Sequence, residues 1–231
     1  MNLNRVRTID NFVAVKTALV SVADKAGLPE LARGLVEHCP GIIIYSTGGT
    51  YSQLEKILSF TGQPKAGGCL RQISEYTGHS EMQGGLVKTL DYRIYLGLLS
   101  ETYNPAHQED LRRIEARAFD LVVANLYPFS EAASADGASL EDARANIDIG
   151  GPCMLRAAAK NFLRVAALCR PADYAGFLDE LKAAGGRTRL ATRWALAQKV
   201  FRHTADYDEA IARRFARISG EEASSCYELK D

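Results

Sequence analysis

The chain of 231 residues contains no run of about 20 apolar residues, the length a membrane-spanning helix needs. Its first dozen residues mix Asn, Arg and Asp with isolated apolar side chains, so no stretch there reads as a signal peptide. Charge of one sign is missing as well: Lys+Arg and Asp+Glu both number 28 and no block of either sign occurs. A nucleic-acid binder rests on a basic face, so no such partner is expected, and the pair Arg213-Arg214 reads as a solvated helix face. The five cysteines (Cys39, Cys69, Cys153, Cys169, Cys226) are odd in number and widely spaced, without C-x-x-C pairs. They read as free thiols in a reducing compartment, which together with the missing membrane and export signals places the protein in the cytoplasm. The four histidines are scattered, so no metal site is expected. No serine, cysteine and histidine set has nucleophile spacing. No internal repeat, low-complexity tract or linker appears, so one domain over residues 1–219 with a polar tail over 220–231 is expected.

What is present is the balance of an ordinary globular protein, 47% hydrophobic and 24% charged. The first half alternates short β-branched runs with amphipathic segments, the pattern of a largely parallel sheet covered by helices. Residues 17–22 read as a strand, and 27–39 as a helix whose Leu28, Leu31, Ala32, Leu35 and Val36 form one apolar stripe. A second strand over 42–45 meets Gly48-Gly49, and a helix carrying Tyr51, Leu54 and Leu58 starts near Thr50. Residues 93–98 read as a further strand, 108–116 as a charged helix, and 121–126 as a strand closed by Pro128. From Ser139 the composition is helical: helices over 140–146 and 152–160, a short strand over 164–168, then helices over 171–184 and 187–218. The last is expected to break where Thr204 and Tyr207 interrupt the apolar spacing, and the tail from Gly220 reads as loose.

Three segments put small or hydroxyl-bearing residues at the ends of these strands, where an open parallel sheet binds ligands. In Ser21-Val22-Ala23-Asp24-Lys25 a strand runs into an ammonium group. Lys25 suits a phosphate as a point charge, although a lone loop lysine is by default a solvated surface residue. In Ser46-Thr47-Gly48-Gly49-Thr50 two glycines let the backbone approach an oxyanion at a helix N-terminus, although a bare glycine pair is usually a turn. The G-x-x-x-x-G-K spacing of a Walker loop is absent. In residues 146–152 the N–H groups of Ile149, Gly150 and Gly151 are candidates to stabilise an anion, and Pro152 suits the first helical turn. Asp148 is by default a helix cap there, a role compatible with catalysis. Arg156 and Lys160, four apart, share a helix face. Gly84-Gly85-Leu86-Val87-Lys88-Thr89-Leu90 adds a lysine and a hydroxyl, and Asn125-Leu126-Tyr127 ends a strand with a tyrosine that by default packs. From the residues alone, this is an anion-binding α/β protein with lysine and carboxylate chemistry.

Taken in order, these segments resemble the inosine monophosphate (IMP) cyclohydrolase domain of the bifunctional purine-synthesis family. The matching runs also include Ile73 to Gly78, Asp120 to Phe129, Asn146 to Asn161 and Phe201 to Asp208, and the run from Asn146 to Asn161 is the most specific. The resemblance implies a methylglyoxal-synthase-like α/β fold, a mostly parallel sheet flanked by helices, with a helical C-terminal extension. It implies closure of 5-formamidoimidazole-4-carboxamide ribonucleotide (FAICAR) to IMP with loss of water, without cofactor or metal. By resemblance Lys88, Tyr127, Asp148 and Lys160 match the catalytic positions. Ser21, Lys25, Thr47, Gly48, Gly49, Thr50, Thr89, Asn125, Ile149 and Gly150 match the nucleotide-binding ones. Asp148 would accept a carboxamide proton, Lys160 and Tyr127 would hold its charge and orientation, and Lys88 would supply charge or a proton to the departing hydroxyl. Family members are homodimers, and a separate formyltransferase would supply the substrate of a chain without the formyltransferase domain.

Leu86 stands where the family usually has arginine, Ala23 and Ala26 shorten a hydroxyl-rich loop, and Asp91-Tyr92 replace a histidine-proline pair. These departures leave open altered affinity or nucleotide preference. Methylglyoxal synthase is the rival enzyme, but its aspartate segments have no counterpart here. The alternative of another class is a regulatory nucleotide-binding module of the same fold, without turnover.

Overall fold

The computed structural model describes residues 5–59, 66–79, 88–127, 129 and 139–230. After a short strand β1 (Phe12–Ala14), strand β2 (Thr17–Val22) alternates its side chains: Ala18, Val20 and Val22 enter one core cluster and Leu19 the other. The same alternation recurs in β3 (Ile43–Ser46), with Ile44 against Tyr45, and in β5 (Leu121–Asn125), with Leu121 and Val123 against Val122 and Ala124. With β4 (Leu70–Gln72) and β6 (Ala166–Leu168) these strands make a parallel sheet of order β4-β3-β2-β5-β6. A strand buried on both faces needs a helical layer on each.

One layer contains α1 (Leu28–His38) and α2 (Gly48–Ser59), followed along the chain by the short helices α3 (Ala66–Cys69) and α4 (Ile73–Thr77). The other contains α5 (Tyr92–Leu99) and, after α6 (Pro105–Arg113) and α7 (Leu140–Ala145), α8 (Gly150–Lys160). Helix α9 (Tyr174–Ala183) returns to the first layer through Tyr174, Phe177 and Leu181. Strand β7 (Arg187–Arg189) pairs antiparallel with β1, and α10 (Leu190–Phe215) crosses the second layer. The α/β architecture expected from the sequence is therefore the one observed.

Four local readings are corrected. Residues 93–98 are helix and not strand: the Asp91 carboxylate accepts the N–H groups of Arg93 (2.8 Å) and Ile94 (3.4 Å), capping α5, while Ile94 and Leu98 recur at helical spacing into the core. A Cβ on Gly97 would stand 2.1 Å from the Arg117 carbonyl, so only glycine lets this helix lie so close. Helix α10 runs 26 residues without a break, because Thr204 and Tyr207 continue the buried stripe of Ala197 and Val200. Residues 187–189 are strand, not helix. Residues Gly220–Ser225 form a short helix, α11, with a capping box between Ser219 and Glu222. Pro128 lies outside the described residues.

At the opposite, amino-terminal edge of the sheet Asp120 joins three elements. Its carboxylate accepts the N–H groups of Lys16 and Thr17 at 2.9 Å and the Arg164 guanidinium at 2.5 Å. Arg164 in turn donates to the carbonyls of Gly97 and Phe119. Both charges are buried, and burial is the largest influence on each: it raises the Asp120 pKa and lowers that of Arg164.

Candidate active site

The connections that leave β2 and β5 turn to opposite faces of the sheet, α1 on one and α8 on the other, which opens a crevice at the carboxyl ends of the strands. A cavity of about 440 Å³ occupies that place. The residues expected at the site all line it, except Gly48 and Lys160. Leu86 lies outside the described residues, and Asp91 serves as the cap of α5.

The half of the cavity under β2 and β3 is polar. Helix α2 begins at Gly48, two residues before the start near Thr50 expected from the sequence, and the N–H groups of a first helical turn, which have no partner within the helix, suit an anion. A Cβ on Gly49 would meet nothing within 4 Å, so that turn stays open. The Ser21 and Thr47 hydroxyls bond each other at 2.8 Å. Thr50 Oγ1 ties the end of β2, accepting the Val22 N–H at 3.2 Å and donating to the Val22 carbonyl at 3.1 Å. The same oxygen accepts from Lys25 Nζ at 2.9 Å, and Nζ also donates to the Val22 carbonyl. The Lys25 ammonium is thus fixed at the cavity wall. Burial, and then the positive charge of Lys88, hold its pKa below the usual lysine range, opposed by Asp24. Two cations facing one cavity favour an anion between them.

The other side, by β5 and α8, carries the apolar side chains of Leu90, Ile147 and Met154 together with Asp148. The Asp148 carboxylate accepts the Gly151 N–H at 2.9 Å and also takes N–H groups of Tyr127 and Gly150. Burial outweighs these bonds and raises its pKa above the ordinary carboxylate value. The donors of Gly150 and Gly151 that were candidates for a substrate oxyanion therefore face Asp148 instead. A Cβ on Gly151 would come within 2.5 Å of Asp148 Oδ2, which explains glycine there.

Asn125 lines the cavity but its amide serves the fold. Oδ1 accepts the N–H groups of Ala23 (2.6 Å) and Asp24 (2.9 Å), and Nδ2 donates to the Asp24 carbonyl (2.8 Å) and the Tyr174 hydroxyl. An amide has four such places, so all are used, and Asn125 braces the loop that carries Lys25. Lys160 is not brought to this cavity. It ends the 11-residue helix whose other end is at the cavity, so a rise of about 1.5 Å per residue carries it roughly 15 Å away, exposed. Its helix neighbour Arg156 lies over the Phe201 ring. Two contributors were missed in the sequence. Tyr174 braces Asn125, and the Tyr207 hydroxyl accepts the Asp148 backbone N–H at 2.8 Å. Neither contact has a local sequence signal, since each joins segments tens of residues apart.

All five cysteines are free thiols, and burial pushes Cys39 and Cys169 up to about 11. Among the described residues no cluster of three or more His, Cys, Asp or Glu is placed to hold a metal ion, and no helix is long and apolar enough to cross a membrane.

Comparison with known proteins places this geometry. Residues 27–153 match the MGS-like domain family, and residues 158–230 match the AICARFT/IMPCHase bienzyme family. The chain is 42% identical over 208 residues to the bifunctional purine biosynthesis protein PurH of Leptospira biflexa serovar Patoc, covering 90% of this chain and 38% of that protein. It thus spans about two-fifths of the length of this curated relative. The solved structure described as "Crystal structure of ForH" superposes with a TM-score of 0.70 at 32% identity, covering 87% of this chain and 98% of that one. The strand-end cavity, its paired lysines and its buried aspartate therefore sit in a chain that belongs to the MGS-like domain family and is similar to the IMP cyclohydrolase-type domain of PurH.

Proposed function

We propose that the chain closes FAICAR to IMP with loss of water, an intramolecular condensation at the end of purine nucleotide synthesis. The observation that carries this reading is one cavity that brings together an anion-binding edge with Lys25, the lysine Lys88 and a buried carboxylate with raised pKa. A ribonucleotide offers two ends to such a cavity. Its phosphate fits the first turn of α2 with Lys25, and its base fits between Leu90, Tyr127 and Met154.

Both reacting groups belong to one molecule, so holding them in contact supplies much of the acceleration. The carboxamide nitrogen attacks the formyl carbon and a C–N bond forms. Asp148 takes one proton from that nitrogen, and its raised pKa makes it a better base than an ordinary carboxylate. The formyl oxygen gains a proton from Lys88 and becomes a hydroxyl. That hydroxyl leaves as water with a second proton, while the former formamide nitrogen loses its own proton and forms the ring C=N bond. Tyr127, exposed at the cavity rim, orients the base. Lys160 carries no step, since it lies at the far end of its helix.

The PurH relative is bifunctional by name, and a formyltransferase, as a linked domain or a partner, is proposed as the source of FAICAR. The test is ultraviolet absorbance of IMP formed from purified FAICAR by the chain, with Lys88→Ala and Asp148→Ala alongside. Turnover abolished in both variants, with nucleotide still bound, is the expected result. Nucleotide binding without turnover by the unaltered chain overturns the reading in favour of a regulatory module.

A further inference from the structure

Helix α10 is hydrogen-bonded to the cavity loop through a tyrosine hydroxyl. Tyr207 is 9% exposed, its ring meets Phe129 edge-on at 6.2 Å between centroids, and its Oη accepts the N–H of Asp148 at 2.8 Å. The rest of the Asp148 turn is tied locally: the Ile147 N–H reaches the Arg144 carbonyl at 3.2 Å, and Asn146 donates to the Asp142 carbonyl. Those bonds fix the turn to α7 but do not fix it against the sheet. The Tyr207 bond spans 59 positions of sequence and does so at the residue whose carboxylate faces the cavity.

We infer that Tyr207 is a positioning residue for ring closure: by holding the Asp148 peptide it sets the direction in which the Asp148 carboxylate meets the substrate. The inference rests on the cyclohydrolase reading of the cavity. Three N–H groups, of Tyr127, Gly150 and Gly151, hold the carboxylate from the side of β5 and α8. The tyrosine hydroxyl holds the backbone from the side of α10, so the group is fixed at both of its ends. Proton abstraction depends on a displacement of well under an ångström, whereas nucleotide binding depends on α2 and Lys25 across the cavity. Losing the hydroxyl is therefore expected to lower kcat and leave KM in place. This also gives the helical C-terminal extension a part in the reaction.

Tyr207→Phe keeps the ring against Phe129 and removes only Oη. Steady-state turnover of FAICAR over pH 5–9 and amide hydrogen exchange at Asp148 are measured on the variant and the unaltered chain. The expected result is a kcat lower by about tenfold to a hundredfold with KM within about twofold. The acid limb of kcat moves to lower pH, because a loosened carboxylate is better solvated. The Asp148 amide exchanges at least about tenfold faster. Equal kcat in variant and parent overturns the inference, whether or not exchange accelerates, and so does a proportional fall of kcat and rise of KM with a lowered melting temperature. A parent that does not turn over FAICAR overturns the cyclohydrolase reading instead, and the positioning role falls with it.

Discussion

Replacing Asp148 by asparagine separates chemistry from stability at a single position. The carboxylate accepts the Gly151 N–H in the first turn of α8 at 2.9 Å, and an asparagine oxygen accepts the same bond. The asparagine oxygen has two acceptor sites against the three N–H groups that the carboxylate takes, so the swap strands one N–H and costs about 1–3 kcal/mol on that account. It also removes a buried charge. Because burial raises the folded-state pKa of Asp148 above its unfolded value, the ionised group disfavours the folded state above that pKa, and the penalty disappears as pH falls through it. The neutral amide of Asp148→Asn carries no such penalty, which offsets the stranded N–H, so the variant is expected to stay within about 2 kcal/mol of the parent's stability at pH 8. Catalysis responds more strongly. A positioned general base contributes about 10²–10⁴ in rate, which at 1.36 kcal/mol per decade is about 3–5 kcal/mol of barrier. Stopped absorbance assays and thermal denaturation at pH 8 read the two quantities on one preparation. A kcat within about threefold of the parent would refute the assignment of Asp148 as base, whatever the stability.

Two further perturbations test the scaffold. Arg164→Met leaves Asp120 buried without its cation and is expected to cost about 3–5 kcal/mol, roughly 6–20 °C of melting temperature at this chain length. With Arg164 gone the folded-state pKa of Asp120 rises further, so the deficit relative to the parent is largest above neutral pH and shrinks as pH falls and Asp120 protonates; a deficit independent of pH would count against the pair. Asn125→Leu strands the Ala23 and Asp24 N–H groups and releases the loop bearing Lys25. Denaturant titration should show a loss of about 2–3 kcal/mol, and binding of IMP should weaken at least as much as kcat falls; unchanged IMP affinity would make the brace irrelevant to the anion site.

How much of this was legible in the sequence depends on the range of the signal. The short, nearly continuous apolar runs at 17–22 and 121–126 marked central strands, because a strand buried on two sides is apolar at almost every position while its neighbours supply the helical stripes. The three-residue strand Leu70–Gln72 has one buried residue and two exposed ones, too little to register as a pattern. Residues 92–99 carry β-branched and aromatic side chains that suit a strand, and the deciding feature was the Asp91 cap just outside the run. The candidate site was legible for a related reason. Glycines, hydroxyls and lysines directly after apolar strands mark the one edge of a parallel sheet where loops from different strands meet, so Lys25, Thr50 and Asp148 could be brought to one place without knowing any contact. Lys160 shows where that logic stops. It shares a sequence motif with Asp148, yet a helix between them converts ten residues into about 15 Å of separation, and the helix was already expected from Pro152 and the following apolar spacing. The rise per residue was therefore sufficient to separate it from this chain's cavity before any coordinates. The opposite error occurs at Tyr207, where a polar atom in an apolar stripe reads as an interruption. A buried tyrosine requires a partner for its hydroxyl, so such a residue at a core position marks a contact across the fold, and here the contact is the backbone of Asp148.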